Sequence, residues 1–246
     1  MDIKTALEIH HNAVKEKGYD PIMTVLVGSQ NYGLETPSSD YDTFTFVKPT
    51  VSDIATLRNP VSKTFEDELG HIDVKDIRLG LNLLKKTNPN SIECFATKHK
   101  YVEVGYEALN NLPWYAFRCD TKHMMMALGG MAHQLGKRNM SAGKRYSHLI
   151  RINCMLTNYF DIGSDILSLD PISRERAMTA KTNHDWPVWE EQCIVEADRI
   201  QRRIDTFDLH EFDIQGDYGI KLIEKIQTDI VKSIISQEGD HTNDDA

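Results

Sequence analysis

The sequence predicts an α+β fold: a sheet-bearing N-terminal half followed by an α-helical C-terminal domain. Three observations carry this reading. Short β-rich apolar runs alternate with helix-periodic runs up to about residue 100. Past Trp114 the periodic runs become long and few of them look like strands. No internal repeat suggests a solenoid, and no apolar run approaches the ~20 residues that cross a bilayer.

The elements follow in order. Ile3, Ala6, Leu7, Ile9, Ala13 and Val14 recur at helical spacing and Gly18 ends the pattern, which makes helix one. Pro21 leads into Ile22–Val27, a compact run read as a buried strand. Gly28 to Ser39 reads as turn and short helix, punctuated by Gly33, Pro37, Ser38 and Ser39. Tyr41–Val47 alternates, with Tyr41, Thr43 and Thr45 on one face and Asp42, Phe44 and Phe46 on the other. A connector with a short helix near Asp53–Arg58 precedes two further strands, Val61–Phe65 and His71–Ile77. Arg78–Lys86 is helical and stops at Asn88-Pro89. Asn90 or Ser91 then caps a short helix, Ile92–Thr97, with Glu93 in its first turn. The helical half comprises 121–136, 141–162, 172–182, 187–206 with Asp185 as cap, and 217–237. The expected organisation is thus 1–115, 116–237, and a disordered acidic tail over 238–246.

Composition narrows the class. Forty per cent of the 246 residues are apolar, enough for an ordinary globular core, and the formal charge is −9. The last nine residues hold four acids and no lysine or arginine, so part of that excess is tail. An acidic chain argues against broad duplex DNA binding through phosphate contacts. Cys94, Cys119, Cys154 and Cys193 form no C-x-x-C pair, which argues against a zinc site or disulfide framework and for free thiols in a reducing compartment. The N-terminus has no apolar signal region. The expectation is a soluble, cytoplasmic protein with no membrane partner.

The chemistry concentrates in VGSQNYGLETPSSDYDTFTF, Val27 to Phe46. A strand that ends in Gly28-Ser29 and opens a short helix aims free N–H groups and a hydroxyl outward, a disposition that favours anions. Glycine lets the backbone approach a phosphate closely. Asp40 and Asp42, two apart along a strand, project side by side. Two like charges that close repel, and a divalent cation removes the repulsion; Mg²⁺ or Mn²⁺ takes carboxylate oxygens and keeps positions open for phosphate. An anion cradle beside such a pair suits a nucleoside triphosphate whose α-phosphorus is attacked by a hydroxyl, with two ions ~4 Å apart. A third carboxylate would act as general base. Strand alternation favours Asp73 over Asp76, which can equally serve as a helix cap.

Gly28-Ser29, Tyr32-Gly33-Leu34 and Pro37-Ser38-Ser39-Asp40-Tyr41-Asp42 together resemble the signature of the DNA polymerase β-like nucleotidyltransferase superfamily. The likeness is nearest to its small bacterial and phage members, some associated with RNA repair. Asn88-Pro89-Asn90 with Glu93, and Lys144 to Arg151 on a later helix, extend it in patches from about Thr24 to Asp205. The resemblance implies a small mixed β-sheet bearing three metal-binding acids, Asp40, Asp42 and Asp73, and a helical domain that closes over the nucleotide. It implies nucleotide contacts from Gly28, Ser29 and Ser39. It further implies transfer of an NMP from an NTP such as ATP to a hydroxyl on a tRNA or other RNA end, a protein or a small molecule, with release of pyrophosphate, in a bacterial or phage-infected cytosol. Members often carry a basic residue soon after Gly-Ser; here Gln30 and Asn31 stand there, so phosphate charge must be met elsewhere. That departure keeps open a catalytically inactive nucleotide- or partner-binding module of the same fold.

In the helical half, Lys144, His148 and Arg151 share one helix face. They are candidates for phosphate or substrate contact, against the plainer reading of a solvated stripe and a structural histidine. Met124, Met125, Met126 and Met131 read as core packing, as do Trp186 and Trp189.

Overall fold

A computed structural model describes residues 1–135, 139–161, 163–207 and 216–241, with backbone alone over 237–241. Five strands, β1 (Pro21–Leu26), β2 (Thr43–Val47), β3 (Ser62–Glu66), β4 (His71–Asp76) and β5 (Lys100–Val102), form one sheet in the order β3-β4-β2-β1-β5. β2 runs parallel to β4 and every other pair is antiparallel, so the sheet is mixed. β5, three residues long, was not expected; a run that short carries no readable period.

The two faces of the sheet are built differently. Thr24, Thr43 and Thr45 turn toward α1 (Ile3–Glu16), whose His10 and His11 are fully buried. His10 Nδ1 lies 2.7 Å from Thr43 Oγ1 and His11 Nδ1 lies 2.9 Å from Thr24 Oγ1. Their Nε2 atoms meet Asp67 at 3.2 Å and Glu103 at 2.9 Å. Every buried polar atom of this layer thus finds a partner, as an interior demands. The opposite face presents Val25, Phe44 and Phe46 to α3 (Ile77–Lys85) and α4 (Pro89–Ala96). There Phe46 stacks on Phe95 with ring centroids 4.9 Å apart.

Local signals fix the helix starts. Asp76 caps α3 by accepting from Arg78 N at 2.8 Å. Asn88, not Asn90 or Ser91, caps α4, because Pro89 takes the first helical position where its missing N–H costs nothing. The short helix after β2, α2 (Val51–Ala55), begins earlier than expected because Thr50 and Asp53 close a capping box.

The C-terminal half contains α5 (Thr121–Leu135), α6 (Ala142–Phe160), α7 (Pro171–Thr182), α8 (Val188–Asp205) and α9 (Gly216–His241). Each falls within a few residues of the expected helix. Asp185 does not cap α8: Pro187 holds that position, and the Asp185 carboxylate pairs with His184. Met124 and Met125 are buried, as is Trp189, which stacks on Tyr146, but Met126 and Trp186, expected in the core, are exposed. α6 is the hub, packed on α5, α7 and α8. Gly143 makes its contact with α7 possible, since a Cβ there would lie 2.1 Å from the Ala180 carbonyl oxygen.

One buried cluster runs from Phe46, Leu81 and Phe95 to Leu128, Leu149 and Tyr159, crossing the boundary expected near residue 115. The helix α9 continues to His241, and the rest of the expected acidic tail lies outside the described residues. Among the described residues no helix is long and apolar enough to cross a membrane.

Candidate active site

The site begins where β1 ends. Gly28 adopts φ +80° and is followed by one 3₁₀ turn, Ser29–Tyr32. A Cβ at Gly28 would lie 3.3 Å from Asp42 Oδ2, so the bend and the second acid share a wall that a side chain would crowd. The Val27 N–H donates to the Asp42 carbonyl at 3.0 Å, which carries the β1–β2 pairing up to this point.

Asp40 and Asp42 precede β2 rather than lie in it. They are held by neighbours on both sides: the Tyr41 N–H donates to Leu69 O at 2.8 Å, and Gln30 Nε2 donates to Asp40 O at 2.9 Å. Asp42 Oδ1 accepts from His71 N at 3.3 Å. The Asp40 carboxylate and the Ser29 hydroxyl have no partner among the described residues.

Asp73 pairs with Phe44 across the parallel ladder, so it shares the face of Asp42 but sits one side-chain step farther along, ~7 Å. Its Oδ1 accepts from Thr64 Oγ1 at 2.5 Å. Asp76 points to the other face, is buried, and is gripped by Arg78 through both carboxylate oxygens. Among the described residues no three His, Cys, Asp or Glu side chains are grouped to hold one ion. The chemistry of Asp40 and Asp42 nonetheless suits a hard divalent cation, which prefers carboxylate oxygen.

The basic face of α6 divides. Lys144 is exposed. Arg151 is largely but not fully buried: its Nη2 lies 3.3 Å from Glu93 Oε1, and its guanidinium stacks 3.9 Å above the Tyr32 ring. Glu93 in turn accepts from the Gly28 N–H at 3.0 Å. Glu93, which sequence spacing left unassigned, therefore ties the bend to α6. It also occupies one N–H that was expected to face phosphate. His148 lines a small cavity of about 60 Å³ beside Tyr32, Glu93 and Arg151.

Two residues that sequence reasoning missed come from α7. Lys181 Nζ donates to Leu34 O at 2.7 Å and to Ser39 Oγ at 3.2 Å, directly before the acid pair. Burial, then the charges of Arg151 and Lys144, pull its pKa below the usual lysine range, while Glu35 and Asp42 act in the opposite sense. Seven residues earlier, Arg174 lies over Gly33, its Cζ 3.5 Å from where a Cβ would stand. The signal was available: two cations two helical turns apart mark one stripe of the expected 172–182 helix.

With this geometry in place, the comparisons are informative. A family model described as RNA repair pathway DNA polymerase beta family matches residues 3–158, more than half of the chain. No curated protein matches it.

Proposed function

The chain belongs to the RNA repair pathway DNA polymerase beta family, and from that premise we propose that it is a nucleotidyltransferase that moves an NMP from an NTP to a hydroxyl acceptor. Family membership suggests nucleotidyltransferase-type activity in general; the metal, the nucleotide and the acceptor are our reading. The observation that carries it is the shared wall of Gly28 and Asp42, which sets a backbone bend without a side chain against a carboxylate.

In this reading Asp40 and Asp42 hold Mg²⁺ or Mn²⁺, which would neutralise phosphate charge when bound. The Ser29 hydroxyl and the bend receive the triphosphate. Lys181, held at Ser39, supplies the cation that Gln30 and Asn31 do not. The acceptor hydroxyl oxygen bonds to the α-phosphorus and the bond to the bridging oxygen breaks. Pyrophosphate departs with the electron pair, and the acceptor proton passes to a carboxylate, for which Asp73 is our candidate. Arg151 and Glu93 keep the bend in place without touching the nucleotide.

The test is transfer of label from α-labelled NTPs to a panel of RNA ends, proteins and small hydroxyl compounds. Asp40→Ala and Asp42→Ala should each lower transfer by ~10²-fold or more. Transfer that survives both changes sinks the mechanism. A second reading, a non-catalytic nucleotide-binding module, draws on the Gly28 N–H taken by Glu93 and on the separation of Asp73 from Asp42. Calorimetry that shows metal-dependent NTP binding, together with no transfer to any acceptor, selects it.

A further inference from the structure

The Ser29–Tyr32 turn borders a cleft that the nucleotide reading leaves unused and whose lining includes neither Asp40 nor Asp42. It is about 350 Å³ and runs between the 97–99 segment and the stretch leading into α7. A second hollow of about 410 Å³ shares Gly33, Leu169 and Arg174 with it, so the two adjoin along the first turn of α7. Each is within the size range of pockets that accept a nucleotide-sized ligand.

The cleft is rich in donors that lack acceptors. The Asn31 side-chain nitrogen is buried with no partner, while its oxygen is already used by Thr97 Oγ1 at 2.6 Å. The guanidinium of Arg174 meets no carboxylate among the described residues. His99 adds a third polar group. Lys98 is matched by Asp165 at 2.6 Å, which leaves Arg174 as the excess positive charge of the inner cleft; Glu175 lines only the outer hollow and makes no ion pair with Arg174 among the described residues. Donors in excess around one free guanidinium suit an anionic oxygen-rich group, and phosphate is the one that such a fork binds best. Gln30 joins this cleft to the acid pair, because it lines the cleft and holds the Asp40 carbonyl.

We propose that this cleft receives the acceptor, a single-stranded nucleic-acid end, with a backbone phosphate on Arg174 and the terminal nucleotide lying along Gln30 toward Asp40. The proposal rests on the nucleotidyltransferase reading for its purpose but not for its test.

The experiment is fluorescence anisotropy of the full chain with a 5′-labelled single-stranded oligoribonucleotide at several salt concentrations. Wild type, Arg174→Ala and Arg174→Glu are compared, and Mg-NTP binding is measured separately by calorimetry. Arg174→Ala should weaken oligonucleotide binding ~5-fold and reduce the salt slope by about one, with a larger loss for Arg174→Glu and melting temperatures unchanged. NTP affinity should stay within ~2-fold of wild type. Wild type that binds no oligonucleotide, as a protein-modifying enzyme would behave, overturns the proposal. So does an affinity and salt slope indifferent to Arg174. Failure of NTP to bind counts against the nucleotide reading alone, because the oligonucleotide measurement stands without it.

Discussion

The cations of α6 and α7 approach the same bend and end in different states. Arg151 on α6 faces a carboxylate, Glu93, and an aromatic ring, and both partners are at least as shielded from solvent as it is. Among the described residues Lys181 on α7 bonds a carbonyl and a hydroxyl but no carboxylate, and Arg174 bonds none of these. A buried cation with an anion of its own is part of the scaffold, since removing it strands the opposite charge. A half-buried cation supplied only with neutral acceptors, next to other positive charge, has capacity left for an incoming anion. The contrast assigns α6 to holding the site together and α7 to binding.

The largest effect expected from this comparison is on stability. Arg151→Ala should cost ~3 kcal/mol, measured by urea unfolding, because Glu93 stays buried without its partner. Restoring neutrality with Glu93→Gln in the Arg151→Met background should recover part of the loss, since glutamine still accepts from Gly28. If Arg151→Ala is as stable as wild type yet loses NTP affinity, the two helices have been assigned the wrong way round.

Lys181→Ala tests the other half. It should raise the Kd for Mg-NTP ~10-fold, the scale of one charge-assisted hydrogen bond, while stability changes by less than ~1 kcal/mol. Lys181→Arg should restore part of the affinity. Equal losses of stability and affinity would reduce Lys181 to a strut between α7 and Ser39.

How much of this was legible in the sequence depends on the distance over which each signal acts. The Gly28 bend and the Asp40, Asp42 pair lie within fifteen residues, and their chemistry is stated by residue type alone. The strand β1 announces itself by a continuous apolar run, and β2, β4 and the five C-terminal helices by period. β5 does not, because three residues hold no period and its place is set by pairing with β1. The Asn88 cap was misplaced by two or three residues because several adjacent polar residues compete, and only Pro89 decides among them. The Glu93–Arg151 clamp spans 58 positions and the Lys181 contact to Ser39 spans 142. Both depend on how α6 and α7 pack, which Gly143 permits but does not announce. Helical spacing puts Lys144, His148 and Arg151 on one face of α6, yet it cannot tell that Arg151 meets an acid while Lys144 is exposed.

The His10 and His11 layer extends the comparison to its smallest effect. Each imidazole has partners on both nitrogens, so by the rule drawn from Arg151 it belongs to the scaffold. Burial holds both pKa values below the usual histidine range. For His10 the opposing charges are Asp67 and, more weakly, Asp42; for His11 they are Glu103 and Asp20, with Lys15 adding to the depression. The unfolded chain therefore takes up protons near the ordinary histidine value, ~6.5, at a pH where the folded chain does not. Stability from this layer is complete above that value and declines as the pH falls below it. The melting temperature should drop by roughly 2 °C between pH 7 and pH 6, and less in a His10→Gln, His11→Asn double variant. Mg-NTP affinity over the same interval should move less than it does on Lys181→Ala. If affinity instead follows the histidine titration while melting does not, the layer acts on the acid pair through Thr43, and partnered groups on this side of the sheet are more than scaffold.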